Sequence, residues 1–270
     1  SFTTMATGGF STKQDSIAYW NSPYIQYVII VFMCIAATNF GLFYAALKGD
    51  VKKLLLDEEF RWYMILILGA TTIIATGLYW ANWGEEEKCI RDALFQVVSI
   101  MTTTGFATAD YLYWPTLLGL ILFILMFIGS CASSTAGGIK VIRVVLLFKN
   151  SFTEMKRIIH PNAVINVKYN DKSVHPTIMT SVMGFFILFI IVFSIGSVIM
   201  AFFTEDIATA CSAVITSLSN IGPGFGSLGP MDNFAHLSDV AKLFLAALML
   251  IGRLEVFTVL VLFTKAFWKK

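Results

Sequence analysis

The sequence has little charge. Only 13% of its 270 residues are charged, about half of what a soluble domain carries, whereas 57% are hydrophobic and the mean hydropathy is +0.76. This shortage excludes an ordinary soluble globule and a disordered chain. The net charge of +2 provides no basic field, so no nucleic-acid partner is expected. The composition predicts an integral membrane protein.

Residues that commonly carry chemistry are also scarce. The four cysteines show neither CxxC nor Cys/His ligand spacing, and the three histidines lie in polar connections, so neither a disulfide scaffold nor a metal or redox site is predicted. The uncharged stretches contain no Asp/Asp or Ser/His pair of the kind that a membrane-embedded enzyme needs. We therefore expect no enzymatic activity and no organic cofactor. The chain begins with Ser1 rather than Met, so we expect a processed terminus or missing residues.

Long uncharged stretches predict the membrane helices. They cover residues 16–47, 62–84, 93–109, 111–139, 176–204 and 207–231, and residues 243–264 are apolar except for Arg253 and Glu255. A spanning helix needs ~20 apolar residues, so four or five of these stretches are predicted to cross the bilayer. Residues 93–109 and 207–231 instead run into Thr- or Gly-rich segments. Each predicts a re-entrant half-helix followed by an irregular loop, which survives at membrane depth only inside protein or beside water.

The charged connections orient the chain. Residues 48–61 and 149–175 are basic, as are Lys265, Lys269 and Lys270, whereas residues 85–87 and 205–206 are acidic. Chance loop composition is the alternative, but the positive-inside rule places the basic connections in the cytoplasm. The half-helices then enter from the outer side of a multi-pass protein surrounded by membrane lipid.

Three segments share a local glycine pattern. They are Ala6-Thr7-Gly8-Gly9-Phe10, Thr103-Thr104-Gly105-Phe106 and Asn220-Ile221-Gly222-Pro223-Gly224-Phe225. A spanning helix follows each, and a short helix precedes the second and third. The predicted fold class is therefore an all-α membrane protein built from units of helix, half-helix, loop and helix. Residues 61–158 and 176–268 form two such units, and residues 1–47 form the end of an earlier one.

The glycine loops predict an ion filter. A dehydrated cation needs several oxygens, backbone carbonyls supply them, and glycine relieves the strain of pointing successive carbonyls at one axis. The half-helices aim their negative C-terminal ends at the same point, and Asp92 and Asp206 are predicted to cap their N-termini. Simple turns between helices are the alternative, but three loops at equivalent positions favour the filter.

Ten small or polar residues interrupt the apolar segment 111–148. They are Gly129, Ser130, Cys131, Ala132, Ser133, Ser134, Thr135, Ala136, Gly137 and Gly138. Close helix packing is the alternative explanation. A helix broken in the membrane more often marks a moving element or a binding site, so a gate is favoured.

Arg253 is predicted to lie in the middle of a helix, where Glu255 points elsewhere and cannot pair with it. A cation in the membrane usually faces the bundle interior or a cavity. Either Arg253 pairs with an acidic residue of another helix, or it forms an electrostatic barrier in the ion path. The two roles are compatible if its partner is the polar loop 129–138.

Taken together, these motifs resemble the Trk/Ktr/HKT superfamily of potassium transporters, and most of all its bacterial TrkH/KtrB branch. The resemblance covers essentially the whole chain. It implies four units around one pore, with this sequence matching from the second filter loop onward and lacking the first unit. It places Thr7-Gly8, Thr104-Gly105 and Ile221-Gly222 at the filter core, with flanking residues Ala6, Gly9, Thr103, Phe106, Asn220 and Pro223.

The resemblance also implies function and partners. Potassium ions would bind the filter carbonyls, and a gate below would comprise Gly129, Ser130, Ser133, Ser134, Thr135, Gly137, Gly138 and Arg253. A homodimer in the cell (inner) membrane and a cytoplasmic nucleotide-binding regulatory subunit docking near residues 140–172 are implied as well. The rival is an alternating-access carrier with broken helices. Convergence of Gly8, Gly105 and Gly222 on one axis would favour the pore.

Overall fold

A computed structural model of the chain describes residues 1–163 and 165–268, which are mostly helical. The helices are α1 (Phe2–Met5), α2 (Pro23–Ala36), α3 (Phe40–Leu47), α4 (Val51–Leu56), α5 (Glu58–Trp80), α6 (Glu86–Met101), α7 (Thr116–Leu125), α8 (Val141–Ile159), α9 (Pro176–Met200), α10 (Ile207–Leu218), α11 (Asp239–Arg253), α12 (Phe257–Leu262) and α13 (Lys265–Trp268). Short 3₁₀ turns cover Tyr111–Tyr113, Gly226–Leu228 and Phe234–His236. A small hairpin pairs β1 (Lys168–Tyr169) with β2 (Lys172–Ser173) in antiparallel fashion. Lys269 and Lys270 of the basic C-terminus lie outside the described residues.

One pattern of elements occurs three times along the chain. A short helix (α1, α6 or α10) ends in a glycine loop, and a second helix (α2, α7 or α11) follows it. The long helices α5 and α9 precede the second and third short helices and pack against them. Helix α6 also packs against α2, and α8 packs against α9, so the three patterns form one helical assembly.

Fewer helices are long enough to span a membrane than the sequence predicts. Within the described residues, only α5 and α9 meet that condition singly, and α2 with α3 would form a third span bent by 104°. The difference arises because the other long apolar stretches are divided by breaks. Residues 16–47, for example, form no regular helix before Pro23 and break again at residues 37–39, where Asn39 accepts the Gly41 N–H at 2.8 Å and starts a new helix.

The helix that follows each glycine loop is broken. The breaks cover residues 37–39 after α2, 126–140 after α7 and 254–256 after α11. The second agrees with the predicted interruption by small residues. The third corrects the prediction for Arg253, which is the last residue of α11 rather than the middle of a helix. Beyond it, Glu255 has φ +55° and its carboxylate accepts an Arg143 Nη2–H at 2.6 Å, so the chain leaves the helical path.

The two half-helices also start differently from the prediction. Helix α6 begins at Glu86, so Asp92 lies inside the helix and is not its N-cap. Its buried carboxylate accepts the Trp83 Nε1–H at 3.4 Å. Asp206 does occupy the N-cap of α10, but its carboxylate accepts the hydroxyl of Thr209 instead of a backbone N–H.

The main core lies where α5, α6 and α7 meet. Its largest fully buried side chains include Tyr63, Phe95, Met101 and Leu122. By contrast, many large apolar side chains on the outer faces of α5 and α9 are exposed, such as Leu68 and Ile191. Apolar side chains on an outer surface are expected where lipid takes the place of water.

Candidate functional site

The three glycine loops have the same backbone conformation. The first position of each, occupied by Thr7, Thr103 and Asn220, has φ of +49°, +53° and +57°. The third position, occupied by Gly9, Gly105 and Gly222, has φ of +63°, +83° and +111°. A left-handed backbone conformation at two positions of one short loop costs conformational energy. Its occurrence in all three loops indicates a shared role.

The hydrogen bonds that hold the loops are repeated as well. In each loop the middle residue donates its N–H to a carbonyl five residues earlier, at the end of the preceding helix. The bonds run from Gly8 to Thr3 (2.8 Å), from Thr104 to Ser99 (2.9 Å) and from Ile221 to Thr216 (2.8 Å). Each loop is therefore tied to the C-terminal end of its own half-helix.

This geometry corrects the register of the first loop. The sequence pattern aligns Gly8 with Gly105 and Gly222, whereas both φ and hydrogen bonding align Gly9 with them. Gly8 then corresponds to Thr104 and Ile221, and Phe10 to Phe106. Two consecutive glycines made the alignment ambiguous, and only the backbone conformation resolves it.

Neighbouring loops are in direct contact through these glycines. A Cβ built on Gly9 would overlap the carbonyl oxygen of Thr104, and one built on Gly105 would overlap the carbonyl oxygen of Ile221. Only glycine permits such an approach of two backbones. The three loops consequently stand side by side in the order of the chain, with each backbone touching the next.

Side chains outside the loops brace them. Ser99 Oγ–H donates to the Phe106 carbonyl at 2.6 Å, and Ser212 Oγ–H donates to the Phe225 carbonyl at 3.0 Å. The buried Tyr111 donates its hydroxyl to the Gly224 carbonyl at 2.8 Å, and its ring lies 5.0 Å from that of Phe225. Tyr111 was missed in the sequence because it reads as the start of an apolar stretch.

The segment 129–138 is a loop closed at its base. Gly129 N–H donates to the Ile139 carbonyl at 2.8 Å, Ile139 N–H donates to the Phe127 carbonyl at 3.2 Å, and Ile128 pairs with Ile139 as an isolated parallel bridge. Within the loop, Ser133 and Gly138 have positive φ, and Ser134 Oγ–H donates to the Cys131 carbonyl at 2.6 Å. We call residues 129–138 the crossing loop.

The crossing loop contacts all three glycine-loop regions. Thr7 Oγ1–H donates to the Thr135 carbonyl at 3.0 Å, and Gly137 N–H donates to Thr103 Oγ1 at 2.8 Å. A Cβ on Gly137 would overlap the Ser219 carbonyl, one residue before Asn220. At the start of the loop, Ser130 Oγ–H donates to the Met101 carbonyl at 2.7 Å. The crossing loop therefore lies directly against the inner end of the three glycine loops.

Arg253 binds this loop rather than an acidic residue. Its Nη1–H donates to the Thr135 carbonyl at 2.6 Å, while Glu255 pairs with Arg143. In residues 1–163 and 165–268 no carboxylate lies within 4.0 Å of Arg253, so this part of the chain supplies no ion pair for it. Next to it, Lys140 Nζ donates to the Ala136 carbonyl at 2.5 Å. Both cations face a cavity of about 400 Å³ between the crossing loop and the end of α11.

One carboxylate that the sequence did not single out holds the other side of the crossing loop. Glu59 Oε1 accepts the N–H of Ala132 at 2.7 Å and the N–H of Ile142 at 3.2 Å. Glu59 is only 2% exposed. The run Asp57-Glu58-Glu59 resembles a solvated acidic helix start, which is why its last member gave no signal.

These observations define a class. The chain is an all-α integral membrane protein in which repeated half-helices end in interlocked glycine loops, with a polar loop crossing beneath them.

The chain belongs to the TrkH family, described as cation transport proteins, whose pattern matches residues 1–270. It is 42% identical over its whole length to the Trk system potassium uptake protein TrkH of Escherichia coli K12, and 32% identical over 98% of its length to TrkG of the same organism. It also matches the crystal structure of the potassium transporter TrkH from Vibrio parahaemolyticus with a TM-score of 0.93 and 38% identity, over 99% of this chain and 58% of that one.

The chain spans about half the length of the curated relatives it matches, 56% for the Escherichia coli TrkH and 55% for TrkG. The relatives are named as potassium uptake proteins, in agreement with the prediction that the chain is not an enzyme. The fold class and the resemblance to the TrkH branch are confirmed.

Proposed function

We propose that this chain supplies three filter loops of a potassium-selective pore. The potassium ion is the transported substrate and binds backbone carbonyls of the equivalent residues 7–10, 103–106 and 220–223. Relatives named as potassium uptake proteins support the choice of ion.

The observation that carries this proposal is the contact between neighbouring glycine loops. Gly9 lies against the Thr104 carbonyl and Gly105 against the Ile221 carbonyl, so successive loops stand close enough together to surround one ion. Carbonyls arranged in this way can replace the hydration shell of a cation. The C-terminal ends of α6 and α10 add partial negative charge on the same side. Mutual contact of the loops favours a pore over the alternating-access carrier.

A further loop would complete the ring. Gly222 differs from Gly9 and Gly105 because a Cβ built on it meets no atom within 4 Å in the described chain. The chain covers 56% of its relatives, and four units are what the resemblance implies. We therefore place a fourth loop between Gly222 and the first glycine loop.

The crossing loop and Arg253 form the gate in this proposal. The crossing loop lies against Thr7, Thr103 and Ser219, directly on the path of an ion leaving the filter. Arg253 adds a positive charge at the same level through its bond to Thr135. A cation below the filter opposes potassium by Coulomb repulsion, which is strong where water is scarce.

The cellular setting is also part of the proposal. We place the protein in the inner membrane as a homodimer with lipid around it and the basic connections in the cytoplasm. Helix α8 carries Lys149, Lys156 and Arg157, and the hairpin β1–β2 follows it. This basic surface suits a cytoplasmic nucleotide-binding regulatory subunit.

Ion flux in liposomes tests the proposal. The protein used is this chain extended to the length of its TrkH relatives, here called the full-length protein. We expect potassium to enter faster than sodium. We also expect the uptake rate not to saturate and not to depend on movement of a second ion in a fixed ratio. Equal permeation of the two ions would refute the potassium assignment while leaving the pore, and strict coupling to a second ion would favour the carrier.

A further inference from the structure

We propose that Glu59 is a positioning residue that anchors the crossing loop in its blocking conformation. This inference rests on the proposed gate function. Glu59 is a buried carboxylate on helix α5, outside the filter. Among the described residues, its side chain accepts hydrogen bonds only from Ala132, in the first half of the crossing loop, and from Ile142, just after the loop ends.

The geometry makes Glu59 a two-ended anchor. Its Oε1 accepts Ala132 N–H at 2.7 Å at the start of the crossing loop and Ile142 N–H at 3.2 Å just after its end. The side chain is buried, so water does not compete for these bonds. Leaving a buried N–H without an acceptor is costly, so loss of this oxygen would destabilise the conformation that both bonds hold.

Glu59 is not required to start its own helix. The N-cap of α5 is Asp57, whose Oδ1 accepts the Phe60 N–H at 3.0 Å. Glu58, the neighbouring carboxylate, pairs with Lys149 and accepts the Asn170 N–H at 3.1 Å. The carboxylate of Glu59 therefore neither caps α5 nor takes part in the ion pair with Lys149, and it bonds the crossing loop instead.

The contacts divide the crossing loop into two sides. Residues 131–133 are fixed from outside: Ala132 is bound to Glu59, Cys131 N–H donates to the Ala37 carbonyl at 3.2 Å, and the Ser133 carbonyl accepts the Phe40 N–H at 3.4 Å. Residues 135–137 contact the filter loops and Arg253. The bond to α5 holds residues 131–133 and thereby keeps residues 135–137 across the proposed ion path. Loss of this bond would let the crossing loop move out of that path.

Thiol labelling of Cys131 tests the anchor without any ion measurement. Cys131 is fully buried beside Ala132, and a full-length variant in which it is the single remaining cysteine makes it the reporter. In the full-length protein, Glu59→Leu removes the acceptor at similar volume and should speed maleimide labelling of Cys131 by about tenfold, the factor set by ~1.4 kcal/mol. Glu59→Gln keeps an acceptor oxygen and should restore most of the slow labelling.

The matched control is Glu58→Leu, which removes the adjacent carboxylate and its partly buried ion pair with Lys149. It should leave Cys131 labelling within about twofold of the unchanged protein, since the partners of Glu58 are Lys149 and Asn170, which lie outside the crossing loop. Equal acceleration in the Glu58 and Glu59 variants would overturn the anchor, because it would show general loosening of the start of α5.

A second measurement covers the case in which Glu59→Leu does not fold. In the unchanged protein, hydrogen exchange should be slower at the Ala132 and Ile142 amides than at the Ser134 amide of the same loop. Exchange at Ala132 as fast as at Ser134 would overturn the anchor. Potassium leak separates the two proposals: faster Cys131 labelling with unchanged leak keeps the anchor and refutes the gate, whereas slow labelling in Glu59→Leu refutes the anchor and leaves the gate standing.

Discussion

The level of the glycine loops and the level of the helix breaks just below differ in how far they preserve the repeat. At the upper level, the three loops share φ values and hydrogen bonds almost residue for residue. At the lower level, the breaks cover residues 37–39, 126–140 and 254–256, and positive φ values occur at Ser133, Gly138 and Glu255 but at no residue of the first break. In the proposed pore, a spherical ion requires equivalent oxygens, which accounts for the repetition at the upper level. The proposed gate needs one element that differs from the others, and in this proposal the crossing loop is that element.

The largest expected effect comes from disturbing the repeated level. Gly105→Ala places a Cβ against the Ile221 carbonyl at a residue with φ +83°. Potassium flux of the full-length protein should fall by about a hundredfold, since neither the overlap nor the left-handed backbone tolerates alanine. Gly69→Ala on α5 is the control, because a Cβ there meets nothing within 4 Å and flux should be unchanged. Normal flux in Gly105→Ala would refute the interlocked filter.

The next effect is expected at the lower level. Arg253→Ala removes the cation bound to the Thr135 carbonyl and should raise potassium leak about tenfold, because it removes both a charge and a tether from the gate. Arg157→Ala, a cation of α8 paired with Glu154, serves as the control. Unchanged leak at equal expression would separate Arg253 from the gate and leave the crossing loop as its only element.

The contact between the two levels is tested by Thr103→Val. This change leaves the N–H of buried Gly137 without its acceptor, at a cost of about 1–3 kcal/mol. We expect a lower Tm, roughly 2–4 °C per kcal/mol for a chain of comparable size, and a modest rise in leak. Thr180→Val, an exposed hydroxyl on α9, should change neither. An unaffected Tm and leak in Thr103→Val would mean that filter and crossing loop are not coupled at this point.

The smallest effect is expected from a brace of one glycine loop. Tyr111→Phe keeps the ring against Phe225 but removes the hydroxyl that bonds the Gly224 carbonyl, at a cost of about 1 kcal/mol. The potassium-to-sodium flux ratio should drop by about twofold to fivefold, with total flux retained. Tyr113→Phe, on a side chain 78% exposed, should leave the ratio unchanged. A ratio equally unchanged in Tyr111→Phe would show that the third loop keeps its shape without this bond.

The upper level could be predicted from the sequence better than the lower one. Glycine has few substitutes where backbones touch, as at Gly105, or where φ is strongly positive, as at Gly222, so the pattern is visible in the sequence. The adjacent pair Gly8-Gly9 shows the limit, because the letters cannot say which of two glycines adopts the left-handed conformation. The crossing loop is likewise visible as ten small or polar residues.

The remaining features depend on partners far along the chain. The apolar stretch continues beyond Arg253, so hydropathy does not mark the end of α11 there, where Arg253 bonds Thr135 and Glu255 bonds Arg143. The same holds for Glu59, whose partners Ala132 and Ile142 lie more than 70 residues away. No local pattern records such a contact.

The parallel bridge at the base of the crossing loop has a mechanical consequence. Because Gly129 N–H is bonded to the Ile139 carbonyl, a pull on α8 reaches α7 through one backbone pairing instead of through the ten residues between them. Movement of α8 can therefore reach α7 without passing through the crossing loop. The loop can change its conformation while α7 and α8 stay joined at its base.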